Sequence, residues 1–100
     1  MQPQPTGKAP ARLFDPGKTV ATPSAFDAMS QHGVWPFDLL ARHNSGDWGD
    51  LSKEDCTAND EALKQGLRLL SAYQITSALR IWIITEHDRS VTTILLPAEY

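Results

Sequence analysis

One hundred residues, 41% of them hydrophobic and 21% charged, match the size of a single domain with one core. The lone cysteine, Cys56, excludes an internal disulfide and any cysteine-based zinc site, and no run approaches the ~18 apolar residues of a membrane span. The net charge of -3 is unevenly spread, with seven acids against two bases between Asp38 and Glu61. That balance argues against a broad nucleic-acid face and fits a solvated surface or one that meets a basic partner.

Residues 1–12 (MQPQPTGKAPAR) carry three prolines, no large side chain after Met1 and no periodicity, so they are expected to form a disordered arm. The remainder, 13–100, is expected to form one domain. Asp15-Pro16-Gly17 is turn chemistry, and Leu13, Phe14 and Val20 are placed to pin this loop to the core, with a short edge strand at Thr19–Ala21. Thr22-Pro23 reads as N-cap and first helical residue. The helix that follows points Ala25, Phe26 and Met29 inward and stops at Gly33. Pro36 to His43 is a second short helix with Phe37, Leu40 and Ala41 inward, and Trp35 before it is expected to staple hydrophobically. A turn-rich loop around Trp48 leads to Ser52, whose spacing to Asp55 resembles a capping box. The third helix runs to about Gln65 with Cys56, Asn59, Ala62 and Leu63 on one stripe.

From Leu67 the apolar period shortens to two. Strands are expected at 68–75, 79–85 and 91–96, with short links that imply an antiparallel meander. Ile81 and Ile83 then face one side and Trp82 and Ile84 the other. One face is expected on the helices, the second under the N-terminal segment or a partner. The predicted class is α+β, two or three short helices on a three- or four-stranded antiparallel sheet.

FDPGKTVATPSAF (Phe14 to Phe26), SGDWGDL (Ser45 to Leu51), NDEAL (Asn59 to Leu63), RLLSAY (Arg68 to Tyr73) and IWIITEHDRSVTTILLPAEY (Ile81 to Tyr100) are distinctive stretches. On them the chain, from Leu13 to Tyr100, resembles a family of short, uncharacterised bacterial "plasmid-related" proteins of plasmids, integrated elements and prophages. The resemblance implies a bacterial accessory-genome setting and brings no activity and no site residue.

Three constellations are candidates for chemistry. A metal-independent ribonuclease needs a general base, a general acid and cations for the scissile phosphate. His43 at a helix end, with Arg68, Ser71, Tyr73, Arg80, Arg89 and Thr93 on the following sheet, supplies that inventory, and the element order is analogous to barnase-type and RelE-type nucleases. The plainer alternative lets His43 satisfy carbonyls at a helix C-terminus and pairs Arg68 and Arg89 with the acidic middle. Asp47, Asp50, Asp55 and Asp60 lack the alternation of a calcium loop and fit better as loop and helix-start acids, so neither metal nor cofactor is expected. Trp48, between Gly46 and Gly49 with Asp47 and Asp50 in the same loop, is either an exposed binding anchor or a plug between helix and sheet. Cys56 reads as a small core residue, and His32 and His87 as surface residues. No phosphate-binding glycine loop or nucleophile elbow is present.

The expectation is a cytoplasmic, non-catalytic module that binds a host- or element-encoded protein through Trp48, Asp47 and Asp50, with no membrane contact. A ribonuclease built on His43, Arg68, Ser71, Tyr73, Arg89 and Thr93 is the alternative, and only then is nucleic acid a partner.

Overall fold

The computed structural model describes residues 11–100; the expected disordered arm lies, but for Ala11 and Arg12, outside the described residues. The element order is β1 (Lys18–Ala21), α1 (Pro23–Gln31), α2 (Pro36–Asn44), α3 (Lys53–Gln65), β2 (Leu69–Gln74), β3 (Arg80–Thr85), β4 (Val91–Leu95) and a 3-10 turn at Pro97–Glu99. The class is α+β, as expected.

Local chemistry sets the helix ends. The Thr22 hydroxyl accepts from the Ala25 N–H at 3.1 Å and the Ser52 hydroxyl from the Asp55 N–H at 3.1 Å, each satisfying a donor that the first helical turn leaves unpaired. Pro23 and Pro36 open α1 and α2 where no N–H is needed. Gly66 ends α3 in the left-handed region at φ 69.

The sheet order is β1-β4-β3-β2. β2, β3 and β4 form the expected antiparallel meander, with Ser71 opposite Ile83 and Ile83 opposite Ile94. The all-antiparallel expectation is corrected at β1, which runs parallel to β4 with Thr19 opposite Thr92. A parallel neighbour requires a long crossover, and here three helices and two strands supply it.

The helix-facing side carries Leu69, Ser71, Tyr73, Ile81, Ile83, Thr85, Thr92 and Ile94, all buried. Ala25 and Met29 of α1 and Leu39 and Leu40 of α2 close one core over Tyr73, Ile81, Ile83 and Ile94. Trp48, Ala62 and Leu69 form a second cluster, with Phe14, Leu51, Cys56 and Leu63 against it. Phe26 and Phe37, expected inward, are 52% and 67% exposed, and Trp35, expected to staple, is 62% exposed. Only Ala25 and Met29 in α1, and Leu39, Leu40 and His43 in α2, are needed to meet the sheet, so these short helices bury a narrower stripe.

The opposite face carries Leu70, Trp82, Ile84 and Leu95. Its cover comes from the C-terminal end, where the Tyr100 ring meets the Trp82 ring at 5.7 Å and Arg68 lies over the Tyr100 ring at 5.1 Å.

The free flank of β2 is closed by side chains and by a short extended segment. Asn59 of α3 donates to the Leu70 carbonyl and accepts from the Leu70 N–H at 3.2 Å. The Ala72 N–H donates to the Trp48 carbonyl at 3.2 Å and the Asp50 N–H to the Ala72 carbonyl at 2.6 Å. The Asp50 carboxylate accepts from the Gln74 N–H at 2.7 Å. Gly49 sits within this pairing at φ 79, and a Cβ there would collide with the Ala72 carbonyl. Glycine is thus required both by conformation and by space.

Candidate functional site

His43 lies in the last turn of α2 and is 0% exposed. Phe14 and Trp48 approach its ring edge-on at centroid distances of 5.5 and 5.7 Å. Its Nδ1 is 2.6 Å from the Ser71 hydroxyl, and its Nε2 is 2.8 Å from the Thr85 hydroxyl. Thr85 and Thr92 hydroxyls are 2.7 Å apart, and Thr92 donates to the Pro16 carbonyl at 2.7 Å.

A carbonyl only accepts, so this last bond sets the direction of the whole chain. Thr92 gives its proton to Pro16 and accepts from Thr85; Thr85 then accepts from His43 Nε2–H; Nδ1 is left to accept from Ser71. His43 is held as the neutral Nε2–H tautomer. Burial first, and then the positive charge of Arg89, pulls its pKa from 6.5 down to about 4.

The donated Ser71 hydroxyl resembles a nucleophile beside its base. Both residues are nevertheless fully buried, and each ring nitrogen of His43 already has a hydroxyl partner. The arrangement fixes α2, β2, β3, β4 and the Pro16 turn to one another. It offers no open position for a substrate oxygen.

Of the other ribonuclease candidates, only Tyr73 lines the same buried side. Its phenol donates to the Asp47 carbonyl at 2.7 Å, and burial raises its pKa well above the ordinary value. Arg89 stands near, over the Phe14 ring at 5.6 Å, but its guanidinium is spent on the carbonyls of Leu67 at 2.7 Å and Glu86 at 3.1 Å. The backbone of Arg89 is in the left-handed region at φ 60, inside the turn between β3 and β4. Arg68 lies on the opposite face, 3.7 Å from Glu86, and Thr93 faces that side too. Arg80 donates to Gln74 at 2.7 Å and to the Asp50 carbonyl at 3.3 Å on the β2 flank. Apart from the His43–Ser71 pair and neighbouring Tyr73 and Arg89, the predicted set is not brought together.

Trp48 is 4% exposed and donates from Nε1 to Asp60 at 2.9 Å. It is a plug, and its role as an exposed anchor is corrected: the extended pairing of Gly49 with Ala72 draws the neighbouring indole under α3. Asp47 and Asp50, expected beside it as binding residues, serve the same loop. Asp47 pairs with Arg42 at 2.7 Å and accepts from the Gly49 N–H at 3.1 Å; the Arg42 bond is the first cause holding its pKa below the carboxylate value. Asp50 and Asp60 accept from Gln74 and Trp48, as described, and Asp55 lies in the first turn of α3. Among the described residues, no group of three or more His, Cys, Asp or Glu is placed to hold a metal.

Leu13, Val20, Leu67 and Tyr100 are exposed at separate places, whereas three other exposed aromatics are neighbours. Phe26 and Trp35 line one shallow pocket with Ser30, Val34 and Pro36, and the Trp35 and Phe37 rings are 6.0 Å apart. Phe37 continues into a groove of about 340 Å³ between β1 and α2, lined by Pro16, Thr19, Leu40 and Ala41 with Arg12 and Asn44 at its polar side. The sequence signal for this surface is Trp35-Pro36-Phe37 at a helix start. Trp35 is the N-cap of α2 and Phe37 lies in its first turn, outside the Leu39, Leu40 and His43 stripe that meets the sheet.

No helix among the described residues is long and apolar enough to cross a membrane. Comparison with protein-family models, with characterised proteins and with solved structures finds no match to the chain.

Proposed function

We propose that this chain is a non-catalytic, cytoplasmic protein-binding module of bacterial mobile elements, and that its partner is a host- or element-encoded protein. The observation that carries this is the continuous surface of Phe26, Trp35 and Phe37, each more than half exposed. Isolated apolar side chains on a surface are ordinary, but three neighbouring large aromatics are the composition of an interface centre. Charge around this surface is mixed, with Asp27 and Asp38 on the helices and Arg12 and Lys18 beside the groove, so the aromatic rings rather than a net charge carry the recognition. The resemblance to plasmid-related proteins supplies the setting. What favours this reading over a ribonuclease is that the one histidine with a hydroxyl partner is sealed from solvent.

The test compares the wild-type chain with a Trp35→Ala/Phe37→Ala double variant as bait in bacterial lysate, with cross-linking. A stoichiometric protein retained by the wild type and lost from the variant is expected. Retention by both, or by neither, would sink the proposal. The variant should keep its melting temperature within a few degrees, because exposed positions contribute about 0.5 kcal/mol or less each.

A further inference from the structure

Resting on that reading, we infer that the partner enters as an extended strand, paired edge to edge with β1 and setting alternate apolar side chains into the groove beside α2. The two flanks of the sheet are treated differently. On β2 the outward groups of Leu70, Ala72 and Gln74 are engaged by Asn59, by the Trp48–Asp50 segment and by the Asp50 carboxylate. On β1 all four residues are exposed. The Lys18 and Thr22 N–H groups donate inward to Ser90 at 3.0 Å and Ile94 at 2.9 Å. By the two-residue alternation of a strand, Thr19 and Ala21 turn their N–H and C=O groups outward. Among the described residues nothing pairs with them.

Such an edge is a template for another extended backbone, and the apolar groove next to it gives side-chain selection. Thr19 shares the helix side of the sheet with Thr92, so every second residue of an added strand would point into the space bounded by Phe37, Leu40 and Ala41. Its neighbour across the lip is Trp35, which makes the edge, the groove and the aromatic surface one site.

A second copy of this chain is the poorer occupant. Two β1 strands paired about a two-fold axis would offer only Thr19 and Ala21 to the groove, leaving an apolar space filled by a hydroxyl and a methyl group. Lys18 at the edge also disfavours registers that set two such strands lysine to lysine. A strand from a different protein, with branched or aromatic residues at alternate positions, fills the space.

The experiment selects binders to the full chain from a displayed library of random linear peptides, then measures affinity and amide exchange. Enriched peptides should alternate apolar with polar residues and should slow exchange at the Thr19 and Ala21 amides. Thr19→Pro removes an outward N–H that no internal bond uses, a change tolerated on edge strands, and should weaken binding about tenfold or more. Ala41→Arg, which fills the groove, should do the same, while Thr93→Ala on the other face should not. If Thr19→Pro fails to fold, Ala41→Arg and the amide readout decide.

Peptides that bind while both amides exchange freely, or a library that enriches nothing, would overturn the inference. So would concentration-dependent protection of those amides in the chain alone, which would assign the edge to a second copy. Loss of a lysate partner in the Trp35→Ala/Phe37→Ala variant with no effect of Thr19→Pro would overturn the strand while leaving the proposed function standing.

Discussion

At the residue scale, His43 couples the fold to acidity. The folded chain holds a neutral imidazole with a pKa of about 4, whereas the unfolded chain protonates the same ring at 6.5. Between those values the unfolded state binds more protons, so stability is complete above pH 6.5 and is lost as pH falls toward 4. The full loss is roughly 3 kcal/mol. Urea midpoints measured from pH 7 to 4.5 should fall for the wild type and stay nearly flat for His43→Gln; parallel curves would remove His43 from the role. At pH 7, His43→Ala should cost about 3 kcal/mol or more, because it opens a cavity and leaves the Ser71 and Thr85 hydroxyls without their ring partner. The histidine was visible in the sequence as a residue at a helix end. Its hydroxyl partners were not, since Ser71, Thr85 and Thr92 meet only through strand register. A second check is optical. With Trp48 as the sole tryptophan, emission should be blue-shifted and resist quenching, while with Trp35 alone it should be red-shifted and quenchable.

At the scale of elements, the covered flank of β2 is held by few residues and is correspondingly sensitive. Asn59→Ala leaves the Leu70 N–H and C=O unpaired beside a helix and should cost about 1–3 kcal/mol, read as a lower urea midpoint and faster exchange of the Leu70 amide. Gly49→Ala should cost more, since a Cβ would meet the Ala72 carbonyl in a backbone region hostile to side chains. The helix starts at Thr22-Pro23, Trp35-Pro36 and Ser52 were legible because caps and prolines act locally. The three-strand meander was legible because alternation and short links are local too. The parallel placement of β1 was not, because it depends on a strand seventy residues away. The inward stripes failed at Phe26 and Phe37 for a related reason: on a nine-residue helix several phases fit the apolar pattern, and packing against the sheet chooses among them.

For the whole molecule, the four strands should differ in protection. β3 and β4 are each flanked by strands on both sides, so their amides should exchange slowest, and the outward amides of β1 fastest. Equal protection across all four strands in the isolated chain would mean that β1 is already covered. The candidate binding surface was the least legible part of the molecule. Trp48, the most conspicuous tryptophan in its glycine-rich setting, is interior, whereas Phe26 and Phe37, expected inward, and Trp35, expected as a staple, lie open. Composition shows that eight aromatics exist but not which of them the core has room for.

The Pro16–Thr92 bond and the Thr22–Glu99 bond tie the segments on either side of β1 to the last strand and the turn after it. During synthesis the segment that begins the sheet leaves the ribosome early and waits while more than seventy further residues are added. A nascent chain interrupted before Leu95 therefore carries β1, the helices and their aromatic faces with no completed sheet to receive them. Stalled or truncated products of this protein should be sticky substrates for chaperones and proteases, and its maturation a single late event rather than a gradual one.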